Sequence, residues 1–148
     1  MRVICLDLEG VLVPEIWESL AVKTKISELK LTTRDIKNYD KLMSHRLKII
    51  NDRKLKISDI LGAVEPLVPF KGALEFLSKL SKDYQVLILS DTFYEISYPL
   101  IAKLNFPNVF CHHLSIGQQG DILGYKLRLN NQKKATVKAF KSLNFEVF

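Results

Sequence analysis

Arg2-Val3-Ile4-Cys5-Leu6-Asp7-Leu8-Glu9-Gly10-Val11 sets an unbroken apolar run, Val3 to Leu6, directly before two acids spaced two apart and a glycine. An apolar run without polar alternation suits a strand buried on both faces, the habit of parallel α/β sheets. Residues 2–8 are therefore expected as the first strand, with Asp7 and Glu9 at its carboxyl end. Parallel α/β sheets bind their ligands at the carboxyl ends of strands. A strand-end Asp with a second acid two residues on can supply a nucleophile and a proton donor. The plainer alternative is a pair of loop carboxylates facing water.

Working outward, Val86-Leu87-Ile88-Leu89 repeats the form and predicts a strand over 85–90. Residues 108–111 predict a third strand, and Glu146-Val147-Phe148 begins a fourth. Helical spacing lies between them. Residues 72–82 put Leu74, Leu77 and Leu80 on one stripe, and residues 131–143 do the same with Val137, Phe140 and Leu143. Residues 93–104 read as a helix that Pro99 should kink. Gly117-Gln118-Gln119-Gly120 is turn chemistry flanked by loose alternation, which predicts a β-hairpin within 112–129.

Residues 14–69 interrupt this α/β order. Pro14 opens the segment, and Pro66 and Pro69 close it. Only helices are expected inside: 15–22, a strong one over 33–51, and a short one at 57–61. Thr32, with Asp35 three residues on, resembles a capping arrangement for the second. The expected fold is thus an α/β, Rossmann-like parallel core from residues 1–13 and 70–148, carrying a small helical cap, 14–69, and a β-hairpin.

The chain has 148 residues, 47% hydrophobic and 26% charged, which is ordinary globular composition and argues against disorder. No apolar run approaches the roughly 20 residues of a membrane helix, and the N-terminus reaches Asp7 too soon for a secretory signal. Cys5 and Cys111 make no disulfide framework, so a reducing cytoplasm is expected. The net charge is +6, and all of the excess falls between Lys23 and Asp59, where eleven Lys/Arg meet five Asp/Glu. That segment is either a solvated helical face or an anion-steering surface. It shows no basic–aromatic interleaving and no nucleic-acid reader motif, so no nucleic-acid partner is expected.

Further residues carry chemistry beside the acid pair. Ser90-Asp91-Thr92 ends the second apolar run before a helix, where hydroxyls and backbone N–H groups form an anion site. The alternative is a helix cap by Asp91 or Thr92. Lys133 and Lys134 stand in the first turn of a helix, where cations oppose the dipole, so either an anion offsets them or they are tolerated surface lysines. Arg46 falls on the stripe of Ile36, Tyr39, Met43 and Ile50; an arginine there either snorkels or grips an anion bidentately. Glu15, just past the first strand, offers a carboxylate to an amine, or is a dipole-favoured helix charge.

Taken in order, Leu6-Asp7-Leu8-Glu9-Gly10-Val11, Ile88-Leu89-Ser90-Asp91-Thr92 and Lys133 resemble the first three motifs of the haloacid dehalogenase-like phosphatase superfamily. The helical insert is similar to its small cap. Residues 7–15, 32–36 and 89–95 resemble most the phosphoserine phosphatase/homoserine phosphotransferase branch, and the likeness covers essentially the whole chain. Glu9 departs from the Asp common in the superfamily but is shared with that branch. The family's fourth motif, a strand followed by Gly-Asp and a further Asp, would begin just after Glu146. The expectation is therefore a core truncated at its C-terminus, lacking the last metal carboxylates and impaired in activity.

The resemblance implies a Mg2+-dependent phosphatase acting on phosphoserine, with homoserine as a possible second acceptor. It implies Asp7 as nucleophile, Glu9 as acid and base, and Ser90, Asp91, Thr92 and Lys133 around the phosphate. Arg46 and Glu15 would hold the substrate's carboxylate and ammonium, and Asp7 with the Glu9 main-chain carbonyl would hold the metal. The competing readings are a phospho-ligand-binding remnant without turnover and a phosphatase for another small phosphomonoester.

Overall fold

In the computed structural model, which describes residues 1–148, the first apolar run is a strand, β1 (Arg2–Leu6). It lies next to one edge of a five-stranded sheet of order β4-β3-β2-β1-β5. The other strands are β2 (Gln85–Phe93), β3 (Val109–Ile116), β4 (Ile122–Lys126) and β5 (Glu146–Val147). β1 runs parallel to β2 and β5, and β2 parallel to β3; β3 and β4 are antiparallel, as the hairpin reading expects. Parallel neighbours need long crossovers, and α4 (Ala73–Asp83), α5 (Tyr94–Lys103) and α6 (Gln132–Ser142) lie within them. The class is α/β with a parallel-dominated sheet.

Side chains alternate across the sheet and bury on both faces. Val3, Leu87 and Leu89 turn to one face, where Val137 and Phe140 of α6 and Phe145 pack on them. Ile88 and Phe93 turn to the other and join Ile96 and Leu100 of α5 and Leu77 of α4. That second core continues into the helices of residues 14–69, which are α1 (Ile16–Thr24), α2 (Tyr39–Asp52) and α3 (Ile57–Val64), with a short 3-10 turn at Ser27–Lys30. Ile16, Leu20, Met43, Ile50, Ile60 and Val64 are all fully buried in it. Each such side chain contributes ~1.5–3 kcal/mol on leaving water. The helical segment is thereby bound to the sheet by a shared core.

Several boundaries differ from the sequence reading, each for a local reason. α2 begins at Tyr39, not residue 33. Thr32 and Asp35 do bond reciprocally, Thr32 N donating to Asp35 Oδ2 at 2.9 Å, but they close a turn. Asn38 is the cap, its Oδ1 accepting from Lys41 N at 2.9 Å. β2 runs on to Phe93, so Ser90, Asp91 and Thr92 lie in the strand, and no side chain caps α5. The cap reading of Asp91 and Thr92 is therefore replaced. Burial decides this, since Thr92 and Phe93 are both enclosed and hold the backbone extended. The expected third strand and the hairpin's first arm are one strand, β3. Pro99 lies inside α5, which continues through it. Leu74 and Leu143 belong to no buried stripe; both are exposed.

Candidate active site

β1 ends at Leu6, and the chain turns sharply over the next nine residues. Leu8 is fully buried and pins the turn, its carbonyl accepting from Leu12 N at 2.9 Å and Val13 N at 3.2 Å. Gly10 has φ +73°, which favours glycine, and an added Cβ there would lie 3.1 Å from Glu15 Oε1. The turn aims Asp7 and Glu9 into a cleft of about 540 Å³ between the sheet's carboxyl edge and residues of the helical segment. Asp7, Glu9, Glu15, Arg46, Ser90, Asp91 and Lys133 all line it.

Asp7 is half-buried, and its Oδ1 accepts from Leu8 N at 2.8 Å. Its Oδ2 accepts from Lys133 Nζ at 2.6 Å. Lys133 reaches it from the first turn of α6, and also stands 3.6 Å from Asp91 Oδ2. Burial works against the ammonium, but the hydrogen bond and charge of Asp7, then Asp91, outweigh it and raise the pKa. The Lys133 cation at a helix start is thus met by two carboxylates.

Glu9 Oε1 accepts from Ile16 N at 2.8 Å, tying the acid to the start of α1. Burial pushes its carboxyl up to about 7, the Ile16 N–H working against this and the Glu15 charge adding to it. Glu15 precedes α1 without making a side-chain cap. Its own pKa is raised by burial, then by the charges of Asp7 and Glu18.

Arg46 is 6% exposed and does not snorkel. Its guanidinium lies 4.4 Å over the Trp17 ring, and Nη2 donates to the Leu31 carbonyl at 2.7 Å. Nε has no partner although buried. Burial lowers its pKa to about 10, against the pull of Tyr39, Glu9 and Glu15. An incompletely bonded, desolvated guanidinium facing a cleft is poised to take an anion. Ile36, placed on the same stripe by the sequence, lies outside α2.

Ser90 is buried on the cleft wall, while Thr92 does not line the cleft; its hydroxyl is buried without a partner. The structure also brings in residues the sequence reading missed. His112 and Gln132, both buried, flank Asp91. Tyr39 donates its hydroxyl to the Asp91 carbonyl at 2.8 Å. Lys30, Thr32, Thr33 and Arg34 form the rim. Apart from Tyr39, which lies on the Arg46 stripe, no periodicity marks these positions. Gln132, beside Lys133 in a helix's first turn, carried the best available signal.

The oxygen donors suit a hard divalent ion in kind. No three His, Cys, Asp or Glu side chains cluster as a ready-made cage. Mg2+ commonly uses only one or two carboxylates, completing its shell with substrate phosphate and water. Asp7, already drawing a cation at 2.6 Å, and the Glu9 carbonyl, which accepts no hydrogen bond from the protein, fit that pattern.

No protein-family model matches the chain. It is 51% identical over 147 residues to phosphoserine phosphatase ThrH of Pseudomonas aeruginosa, covering 99% of this chain and 72% of that protein. It is 48% identical over 147 residues to a phosphoserine phosphatase of Pseudomonas syringae pv. tomato, covering 62% of that protein. Among solved structures, a phosphoserine phosphatase from T. onnurineus in complex with NDSB-201 superposes with a TM-score of 0.73 at 21% identity, covering 95% of this chain and 70% of the other. A phosphoserine phosphatase solved as a phospho-aspartyl intermediate analogue gives 0.71 at 22% identity, covering 98% and 73%. The fold is that of the haloacid dehalogenase-like phosphatases. Within them the chain belongs to the phosphoserine phosphatase family, in the branch that includes ThrH.

Proposed function

We propose that the protein hydrolyses O-phosphoserine by a two-step phosphoryl transfer. The observation that carries this reading is the convergence of Asp7, Glu9, Ser90 and Lys133 on one cleft that Arg46 and Glu15 also line. An Asp7 oxygen attacks phosphorus and the bond to the serine oxygen breaks, leaving phosphate on Asp7. Glu9, its carboxyl pushed up to about 7, still carries a proton near neutrality and gives it to the departing serine oxygen. Glu9, now a carboxylate, takes a proton from water, which attacks the same phosphorus and releases phosphate and Asp7. Ser90 and Lys133 steady the phosphoryl oxygens throughout. Bound at Asp7 and the Glu9 carbonyl, Mg2+ would offset phosphate charge.

Arg46 takes the substrate carboxylate and Glu15 its ammonium. Residues 14–69 serve as a cap over a core of 1–13 and 70–148, and Lys30 and Arg34 on the rim draw the anion in. An acceptor alcohol in the place of water, homoserine in particular, presents the same amino-acid head to Arg46 and Glu15 and would receive the phosphoryl group instead. Two free thiols, Cys5 and Cys111, suit a reducing cytoplasm. The test is phosphate release from phosphoserine with added Mg2+. Turnover that Asp7→Asn abolishes supports the reading; turnover that survives the substitution contradicts it.

A further inference from the structure

A carboxylate on the wall of a phosphate cleft is at first sight misplaced, because it repels a dianion. Asp91 nonetheless lines the cleft, and its surroundings are built to hold it there. Oδ2 faces Lys133 Nζ at 3.6 Å. Oδ1 lies 3.4 Å from Gln132 Nε2 and 3.6 Å from His112 Nε2.

These holders are fixed in turn. His112 Nδ1 accepts from Arg128 N at 3.1 Å, which places the proton of the neutral ring on Nε2, towards Asp91. Gln132 also donates to the Ser90 carbonyl, and its Oε1 accepts from Arg128 Nε at 3.1 Å. The Tyr39 hydroxyl secures the Asp91 main chain. So much support for an anion in an anion site needs a reason, and Lys133 supplies one.

We propose that Asp91 is a positioning residue that keeps the Lys133 ammonium aimed into the cleft while Asp7 is phosphorylated. The proposal rests on the phosphoryl-transfer reading above. When an Asp7 oxygen bonds to phosphorus, the carboxylate becomes a neutral acyl group and the 2.6 Å ion pair is lost. The Lys133 ammonium then has only the phosphoryl oxygens to hold it, and lysine, a point charge on a flexible four-carbon stem, is not fixed in direction by them alone. Asp91, with Gln132 and His112 beside it, does not enter the reaction and remains as the second anchor. Its carboxylate thereby favours phosphate indirectly more than it repels it directly.

The sign of one substitution separates the two effects. Inorganic phosphate affinity is measured by calorimetry in an Asp7→Asn background, whose neutral side chain lacks the ion pair as the phosphorylated protein does, alone and with Asp91→Asn, Lys133→Met or both. A carboxylate that merely sits in the site predicts tighter binding in Asp91→Asn. A carboxylate that positions Lys133 predicts binding weaker by about two- to fivefold, the scale of a partly exposed ion pair. It also predicts that Asp91→Asn adds no loss in the Lys133→Met background. Equal or tighter binding, or losses that add, would overturn the proposal while leaving the phosphatase reading standing. On the catalytic side, with Asp7 intact, kcat/KM should fall by the same factor for phosphoserine and for phenyl phosphate. A loss confined to phosphoserine would place Asp91 with the amino-acid head and contradict the proposal. Should Asp91→Asn not fold, as read by circular dichroism, Asp91→Ser gives the same comparison. A protein without measurable phosphate affinity would defeat the cleft reading itself, and the role of Asp91 with it.

Discussion

Glu9 and Arg46 are perturbed by the same cause, loss of water, with opposite consequences. Burial favours the neutral form of each, holding a proton on Glu9 up to about 7 and pulling Arg46 down to about 10. For Glu9 the proton is the reagent, so turnover should decline as pH rises through about 7, and Glu9→Gln should remove both that limb and most of the rate. Stability carries the same signature. Between the ordinary glutamate value of 4.5 and about 7 the folded state binds more protons than the unfolded. Stability is therefore greatest below that window and falls as pH rises through it, by up to ~1.4 kcal/mol per unit. Denaturant titrations across the window should show this slope in the protein and lose it in Glu9→Gln. Arg46→Ala should raise KM for phosphoserine by about tenfold or more, the scale of a charge-assisted bidentate contact, yet barely change it for phenyl phosphate. Equal losses on both substrates would make Arg46 a purely structural residue. At this scale the sequence was informative wherever a residue broke its own pattern. Asp7 and Glu9 stand at the end of an apolar run, Arg46 interrupts an apolar stripe, and Lys133 opposes a helix dipole. The shift on Glu9 was not legible, because the fold-back of residues 10–16 creates it.

Elements were legible where hydrophobic period alone decides and obscure where a boundary turns on competing local bonds. β1 and the buried body of β2 follow from continuous apolar runs. Helix α2 shows the opposite case, since Thr32 and Asp35 carry the pattern of a cap and bond as one, yet Asn38 holds the helix start. Asn38→Ala should cost about 1 kcal/mol of stability, as losing an N-cap does, whereas Thr32→Ala should cost clearly less because it only loosens a turn. Thermal denaturation of the two variants distinguishes these roles. The far end of β2 depends on tertiary burial rather than propensity. Phe93 is fully buried beside His112 and Tyr125, with ring centroids 6.2 and 6.0 Å away. Phe93→Ala should destabilise the fold by about 3–5 kcal/mol and disturb Asp91 and Ser90 with it. That extension sets Ser90 beside the Asp7 turn, across the Leu6↔Ile88 register.

At the scale of the molecule, two bodies of sequence, one α/β and one helical, enclose a cleft at the carboxyl edge of a parallel sheet. The switch of periodicity after Pro14 marked the helical segment, but the core it shares with the sheet was not visible, because it joins side chains far apart in the chain. Trp17 and Leu20 of α1 belong to the same buried cluster as Ile88 and Leu100. The excess positive charge was visible as a count, but that Lys30 and Arg34 of it fall on the cleft was not. The central claim is that phosphate passes through Asp7. The direct measurement is to mix the protein with phosphoserine and Mg2+, quench in acid, and map the phosphorylated peptide by mass spectrometry. The account predicts an acyl phosphate on Asp7, absent from Asp7→Asn and accumulating in Glu9→Gln in proportion as its hydrolysis slows more than its formation. Phosphoserine turnover with no phosphorylated Asp7, or label on another residue, would contradict it.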